Sequence, residues 1–179
     1  TVARLSSVKG VDILIKAFEQ VLKAHQNCEL WIVGDGEEKE SLLKLAKNIS
    51  LNHEIVFLGK NEWSQTMKIL SKMDIVVLAS RFEAFGLAAA EALVLAKPVI
   101  ASDTFGLKSV IQHEKTGLIF PVSDSSALAC SIIRLINDPK FAKKIAENGS
   151  IDIQSRFDYA IFNAQINLVY SQLTKDLAA

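Results

Sequence analysis

Glu83 and Glu91, with seven residues between them, lie in the densest polar cluster of the chain, Ser80-Arg81-Phe82-Glu83-Ala84-Phe85-Gly86-Leu87-Ala88-Ala89-Ala90-Glu91. The cluster follows a uniformly apolar run, Asp74 to Ala79, and passes through Gly86 into helix formers from about Leu87 to Ala96. Glycine lets the backbone approach a ligand closely, and free amides in the first helical turn behind it can hold a phosphate or another anion. Glu83 falls on the loop and Glu91 about one turn into the helix. Two carboxylates so placed can address one ligand from different directions and accept hydrogen bonds from its hydroxyl groups. Each glutamate taken alone is better read as a helix-start acid held by the macrodipole. A glycosidase pair of nucleophile and acid ranks low, because spacing gives no carboxylate separation and no barrel pattern accompanies it.

Arg4 and Lys9 flank the turn before the first helix and could together neutralise a diphosphate, Arg4 as a fork and Lys9 as a point charge. The plainer reading is a pair of solvated charges. Gly34-Asp35-Gly36 matches part of a dinucleotide fingerprint, but Lys39 stands where the last glycine belongs. No phosphate-loop motif and no aspartate-x-aspartate pair is present, so metal-independent chemistry with no cofactor is expected. His25, His53 and His113 are scattered singly and read as surface or satisfied histidines. Ser80 lacks the surroundings of a hydrolase elbow, and Trp31 and Trp63 read as packing residues.

These residues need a scaffold. Short β-branched runs alternate with amphipathic stretches, which predicts an α/β fold, a Rossmann-like doubly wound parallel sheet with helices on both faces. Strands are expected up to Arg4, at Glu29 to Val33, Glu54 to Leu58, Asp74 to Ala79 (the central one, so apolar that both faces must be covered), Pro98 to Ala101 and Gly117 to Phe120. Helices are expected at Val11 to Ala24, Glu37 to Asn48, Glu62 to Lys72, Leu87 to Ala96, Lys108 to His113 and Asp124 to Ile136, with Asp138-Pro139 as punctuation. Carboxyl-terminal helices follow, one from Phe141 that ends at Asn148 and one from Tyr159 to about Leu173. Ligands of such sheets bind beyond the carboxyl ends of the strands, which is where Arg4, Lys9, Gly34, Gly59 and the Ser80 to Gly86 loop fall.

The 179 residues suit one domain, 1–179. Lysine plus arginine equals aspartate plus glutamate at 20 each, so no overall field draws the chain to nucleic acid or an anionic membrane. No apolar run is long enough to span a bilayer. Cys28 and Cys130 lie in unrelated segments, which suits a reducing compartment, with cytoplasm the default. The start at Thr1-Val2-Ala3-Arg4 reads as internal to a longer polypeptide.

The segment Glu83 to Glu91 resembles the Glu-x7-Glu hallmark of retaining glycosyltransferases of the GT-B fold, the group 1 type of glycosyltransferase family 4. Val2-Ala3-Arg4-Leu5 with Lys9-Gly10, Ile32 to Gly36, Val56 to Gly59, Glu91-Ala92-Leu93, Lys97 to Ala101, Thr116-Gly117-Leu118 and Phe157-Asp158-Tyr159 resemble the same carboxyl-terminal, donor-binding domain. The resemblance implies one half of a GT-B fold, with a nucleotide-diphosphate sugar as donor substrate and partner. Arg4, Lys9 and Glu83 would act at the diphosphate and transferred sugar. Gly34, Leu58, Gly59, Phe85, Gly86, Leu87 and Glu91 would hold the donor, with Glu91 on the ribose and the base near Leu58-Gly59-Lys60. Acceptor site and any membrane association would belong to an amino-terminal domain absent from this chain, to which the last helix would cross back. The chain departs from the family at Ala79, Ala84 and Phe105, which leaves the sugar open. A noncatalytic interaction domain of this fold and a sugar-nucleotide epimerase are the other readings.

Overall fold

The computed structural model describes residues 1–49 and 54–157. β1 (Leu30–Val33) pairs with β2 (Ile55–Gly59), and β3 (Val76–Leu78), β4 (Val99–Ser102) and β5 (Leu118–Phe120) form a second ladder in that order. Every pairing is parallel. The expected first strand is reduced to a parallel bridge of Val2 to Val33, supported by the Ala3 amide on the Val33 carbonyl at 3.0 Å. β3 hydrogen-bonds only to β4 among the named strands, so the inner strand of its ladder is β4, and β3 is buried throughout, as expected of Asp74 to Ala79.

Alternation of side chains along each strand makes the two ladders one layer. Leu30, Ile32, Ile55, Val77, Ile100, Leu118 and Phe120 belong to one core, which α1 (Val11–Ala24), α2 (Lys39–Asn48) and α6 (Ser125–Asn137) cover. Val33, Val76, Leu78, Val99 and Ala101 face the other core, under α3 (Trp63–Leu70), α4 (Leu87–Val94) and α5 (Phe105–Val110). The sheet is therefore wound on both faces, and β3 and β4 are buried at every position, as parallel strands covered on both sides must be. α7 (Pro139–Phe157) joins the faces, giving Ala142 and Ile145 to the first core and Ile153 to the second.

Two helices depart from the periodicity. α5 begins three residues before the expected Lys108, where the backbone leaves the extended conformation of Thr104, at φ −108° and ψ 155°, and the Lys108 amide returns to the Thr104 carbonyl at 3.0 Å. It ends at Val110 rather than His113, where the Arg156 guanidinium donates to the Ser109 and Val110 carbonyls at 2.7 and 2.8 Å. α7 does not stop at Asn148. Its start is built by Asp138, which accepts the Phe141 amide at 2.9 Å ahead of Pro139 in the first helical position, where no donor is needed. Gly149 lies in mid-helix because α7 packs against α4: a Cβ there would meet Leu93 Cδ2 at 2.5 Å and the Thr116 carbonyl at 2.8 Å. The expected helix from Tyr159, with Ile161, Phe162, Ile166 and Val169, lies outside the described residues, as does His53.

No helix among the described residues is long and apolar enough to cross a membrane. A cavity of about 670 Å³ opens at the amino ends of the strands, beside Glu29, Glu54 and Asp74, and so at the opposite end from the polar loops. Gly149→Ala should lower stability by about 1–3 kcal/mol, the cost of overpacking a closed interface. Urea unfolding measures it, and an unchanged midpoint would show that α4 and α7 are not in close contact at this position.

Candidate functional site

The loop from Ser80 to Gly86 has no regular structure, and hydrogen bonds from both sides hold it. Arg81 donates its backbone amide to the Val8 carbonyl at 2.7 Å and a guanidinium N–H to the Ser7 carbonyl at 2.5 Å. The same guanidinium meets Asp12 in a two-point fork at 2.9 and 2.8 Å. From the other side the Gly106 amide donates to the Glu83 carbonyl at 3.1 Å, and the Ser102 hydroxyl to the Ser80 carbonyl at 2.5 Å. The first turn of α1 and the 3₁₀ turn Ser7–Lys9 are thus clamped to the loop after β3.

The clamp brings Glu83 opposite Lys9. Lys9 Nζ donates to Glu83 Oε2 at 2.6 Å, the Ser80 hydroxyl reaches the same oxygen at 3.3 Å, and the two charged side chains are 28% and 18% exposed. Partial burial makes this pair stronger than a surface one and makes removal of either partner costly. Arg4 is different: it pairs with Glu37 at 3.2 Å with 73% and 56% of the side chains in solvent, an arrangement worth little. Its guanidinium can therefore turn to another anion.

Arg4, Lys9, Glu83, Gly86, Leu87 and Glu91 line one cavity of about 240 Å³ at the carboxyl ends of the strands. Gly86 adopts φ 96°, the left-handed region that glycine tolerates, and begins α4 with no side chain capping it. The amides of Ala89 and Ala90 return to the Gly86 carbonyl, so the amides of Leu87 and Ala88, at the cavity wall, are the free ones. α4 carries no acid in its first turn, so the macrodipole does not account for either glutamate: Glu83 precedes the helix and Glu91 lies beyond that turn. The arrangement offers two cations and two amides to an anion and two carboxylates to hydroxyl groups.

A second cavity of about 470 Å³ adjoins the first through Val2, Ala3 and Arg4, and Gly34, Asp35, Lys60, Asn61 and Thr66 complete it. Gly34 is there for a backbone reason as well, since a Cβ would collide with the Ala3 carbonyl. Leu58 and Gly59 line neither cavity; their carbonyls accept from the Asn61 side chain at 3.1 and 3.2 Å, and the Gly59 carbonyl also from the Gly34 amide. Phe85 lines neither, and packs edge-on against Phe157 with ring centroids 5.4 Å apart. His113 accepts the Ile119 amide at 2.9 Å and is a satisfied histidine. Among the described residues no group of three His, Cys, Asp or Glu side chains is placed to hold a metal ion.

Two residues without an expected place in the site belong here. Arg81 builds the clamp, and Trp63, expected to pack, is 68% exposed with its indole N–H on Glu91 Oε1 at 2.9 Å. Neither partner is within reach of a local pattern, being 69 and 28 residues away along the chain.

The sequence pattern of the glycosyl transferases group 1 family matches residues 1–151. An uncharacterised glycosyltransferase of Methanocaldococcus jannaschii is 31% identical over 158 residues, 88% of this chain and 40% of that protein. The N-acetyl-alpha-D-glucosaminyl L-malate synthase of Bacillus anthracis is 28% identical over 175 residues, 98% of this chain and 45% of that protein. The chain thus spans about half the length of the curated relatives it matches. Among solved structures, Anabaena HepE in complex with UDP superposes with a TM-score of 0.88 at 28% identity, over 95% of this chain and 47% of that one. Its complex with UDP-glucose gives 0.83 at 29% identity, with the same coverage.

Burial alone would raise the Asp12 carboxyl, but hydrogen bonds and charge from Arg81, with Lys16 beyond, hold it below the usual carboxylate range. A depressed folded value means stability present at neutral pH and lost as the pH falls through that value. A double-mutant cycle of Arg81→Ala and Asp12→Asn should give a coupling of about 1 kcal/mol at pH 7. That coupling should shrink once the pH drops below about 4, where unfolded aspartate protonates. A coupling equal at pH 7 and in acid would rule out the ion pair as its source.

Proposed function

We propose, from the premise that this chain belongs to the glycosyl transferases group 1 family, that its cavity holds a nucleotide-diphosphate sugar and that the whole protein passes the sugar to an acceptor. One observation carries the reading: a single cavity gathers Lys9, Glu83, Glu91 and the free amides of α4 at the strand ends. HepE, with this fold, was crystallised with UDP and with UDP-glucose. The diphosphate lies against Lys9, Arg4 and the Leu87 and Ala88 amides, the ribose against Glu91, and the sugar beside Glu83. The base extends towards the second cavity at Lys60 and Asn61.

Transfer builds negative charge on the departing diphosphate, and donors already in place stabilise it without reorganising. Lys9 is neutralised by Glu83 at 2.6 Å. A diphosphate, with more charge than one carboxylate, competes for that ammonium, and Glu83 is then free to accept from sugar hydroxyls. The acceptor oxygen attacks the anomeric carbon from the face the phosphate leaves. Its proton passes to the phosphate oxygen as the old bond breaks, so configuration is retained and neither a protein nucleophile nor a metal is needed. The acceptor is held by the part of the protein outside this chain, which leaves the isolated domain nearly inactive. The same part would carry any attachment to the cytoplasmic face of a membrane.

The test is turnover by the full-length protein on a panel of UDP, GDP and ADP sugars with a chelator present. One donor should be consumed with its anomeric configuration kept. Lys9→Ala should lower kcat by about 10²- to 10³-fold, the usual loss for one preorganised donor to a developing charge. Glu91→Ala should weaken donor binding roughly 10- to 100-fold, as loss of a charged hydrogen-bond acceptor does. Absence of binding to every donor would overturn the reading, and activity that stops on chelation would overturn its metal-free part.

A further inference from the structure

We infer that Trp63 is a positioning residue for the nucleoside, holding Glu91 in the orientation that accepts the ribose; this rests on the donor reading above. Trp63 is the first residue of α3, and the extended backbone of Glu62, at φ −64° and ψ 153°, turns the chain into that helix. The indole is 68% exposed, so core packing does not explain its position. Its Nε1–H donates to Glu91 Oε1 at 2.9 Å, which ties the start of α3 to the second turn of α4. Among the described residues Glu91 Oε2 has no protein partner, and Oε1 keeps a second lone pair.

Glutamate on a helix surface ordinarily samples several rotamers, and immobilising it on binding weakens the complex. The indole N–H removes that freedom beforehand. Trp63 also links the walls of the two cavities: Asn61 and Thr66, on either side of it in the chain, line one, and Glu91, to which it donates, lines the other. A molecule that occupies both cavities crosses at Val2, Ala3 and Arg4, which they share, and its part in the first cavity meets a wall that includes Glu91. For a nucleoside diphosphate the part that crosses is the ribose, whose vicinal hydroxyls suit a fixed carboxylate. Inorganic pyrophosphate, with no ribose, gains nothing from it.

The test is calorimetric titration of the full-length protein, wild type and Trp63→Phe, with UDP and with inorganic pyrophosphate. Phenylalanine keeps an aromatic ring and deletes only the N–H. UDP should bind roughly five- to tenfold more weakly to W63F, the loss expected for one hydrogen bond to a charged group, while pyrophosphate binding stays the same. In a Glu91→Ala background the same substitution should cost nothing further, because Trp63 acts through Glu91. Equal UDP affinity in wild type and W63F overturns the assignment alone, as does an equal loss for both ligands. A wild-type protein that binds no nucleoside diphosphate overturns the donor reading, and this inference with it.

Discussion

The two-point bond between Arg81 and Asp12 is the contact from which the rest of the site's geometry follows. Asp12 sits in the first turn of α1 and cannot move without that helix, whose inner face is buried from Val11 to Val21. Arg81 transmits this rigidity to a loop with no ladder or helix of its own. With Arg81 bound to Asp12, Ser7 and Val8, the residues that follow it must turn back over the Ser7–Lys9 segment, and Glu83 arrives beside Lys9. Bonds from β4 and α5 close the loop from the other side. A chain with no net charge has no long-range field to gather an anion, so it needs such a device to concentrate charge at one place.

What the clamp builds is a poised pair rather than a free cation. Lys9 and Glu83 satisfy each other, which avoids a half-buried unpaired ammonium, a state that would cost several kcal/mol. The same pairing sets a threshold for ligands, because an anion must compete with Glu83 for the Lys9 charge. A single carboxylate or phosphate monoanion has little advantage over Glu83, whereas a diphosphate that also reaches the α4 amides and the loosely held Arg4 has several. In the proposed donor complex, selectivity for diphosphates would come from this competition, without a dedicated phosphate loop.

Much of this was legible in the sequence, for identifiable reasons. The alternation of strands and helices, the double winding of the sheet and the rim that carries Arg4, Lys9, Glu83, Gly86 and Glu91 follow from hydrophobic period and from where parallel sheets bind ligands. What escaped rests on long-range packing. Gly149 looks like the end of a helix, and only the nearness of Leu93 shows that it is a contact point within α7. α5 is framed by Thr104 and by Arg156, whose guanidinium comes from 46 residues downstream to cap it. Trp63 reads as core because tryptophan usually is, and Arg81 as an ordinary loop charge, because neither Glu91 nor Asp12 is a sequence neighbour. Leu58 and Gly59 were expected to face the ligand, yet Asn61 and Gly34 engage their carbonyls and the adjacent Lys60 and Asn61 line the cavity instead.

On the proposed function the Lys9–Glu83 pair opens to receive a diphosphate. A crystal structure of the full-length protein soaked with UDP tests it most directly. Phosphate oxygens should then lie within hydrogen-bond distance of Lys9 Nζ and the Leu87 and Ala88 amides, with the ribose hydroxyls on Glu91. A nucleotide bound elsewhere, such as in the large cavity at the opposite end of the strands, or a Lys9–Glu83 contact that persists with the diphosphate bound away from it, would contradict it.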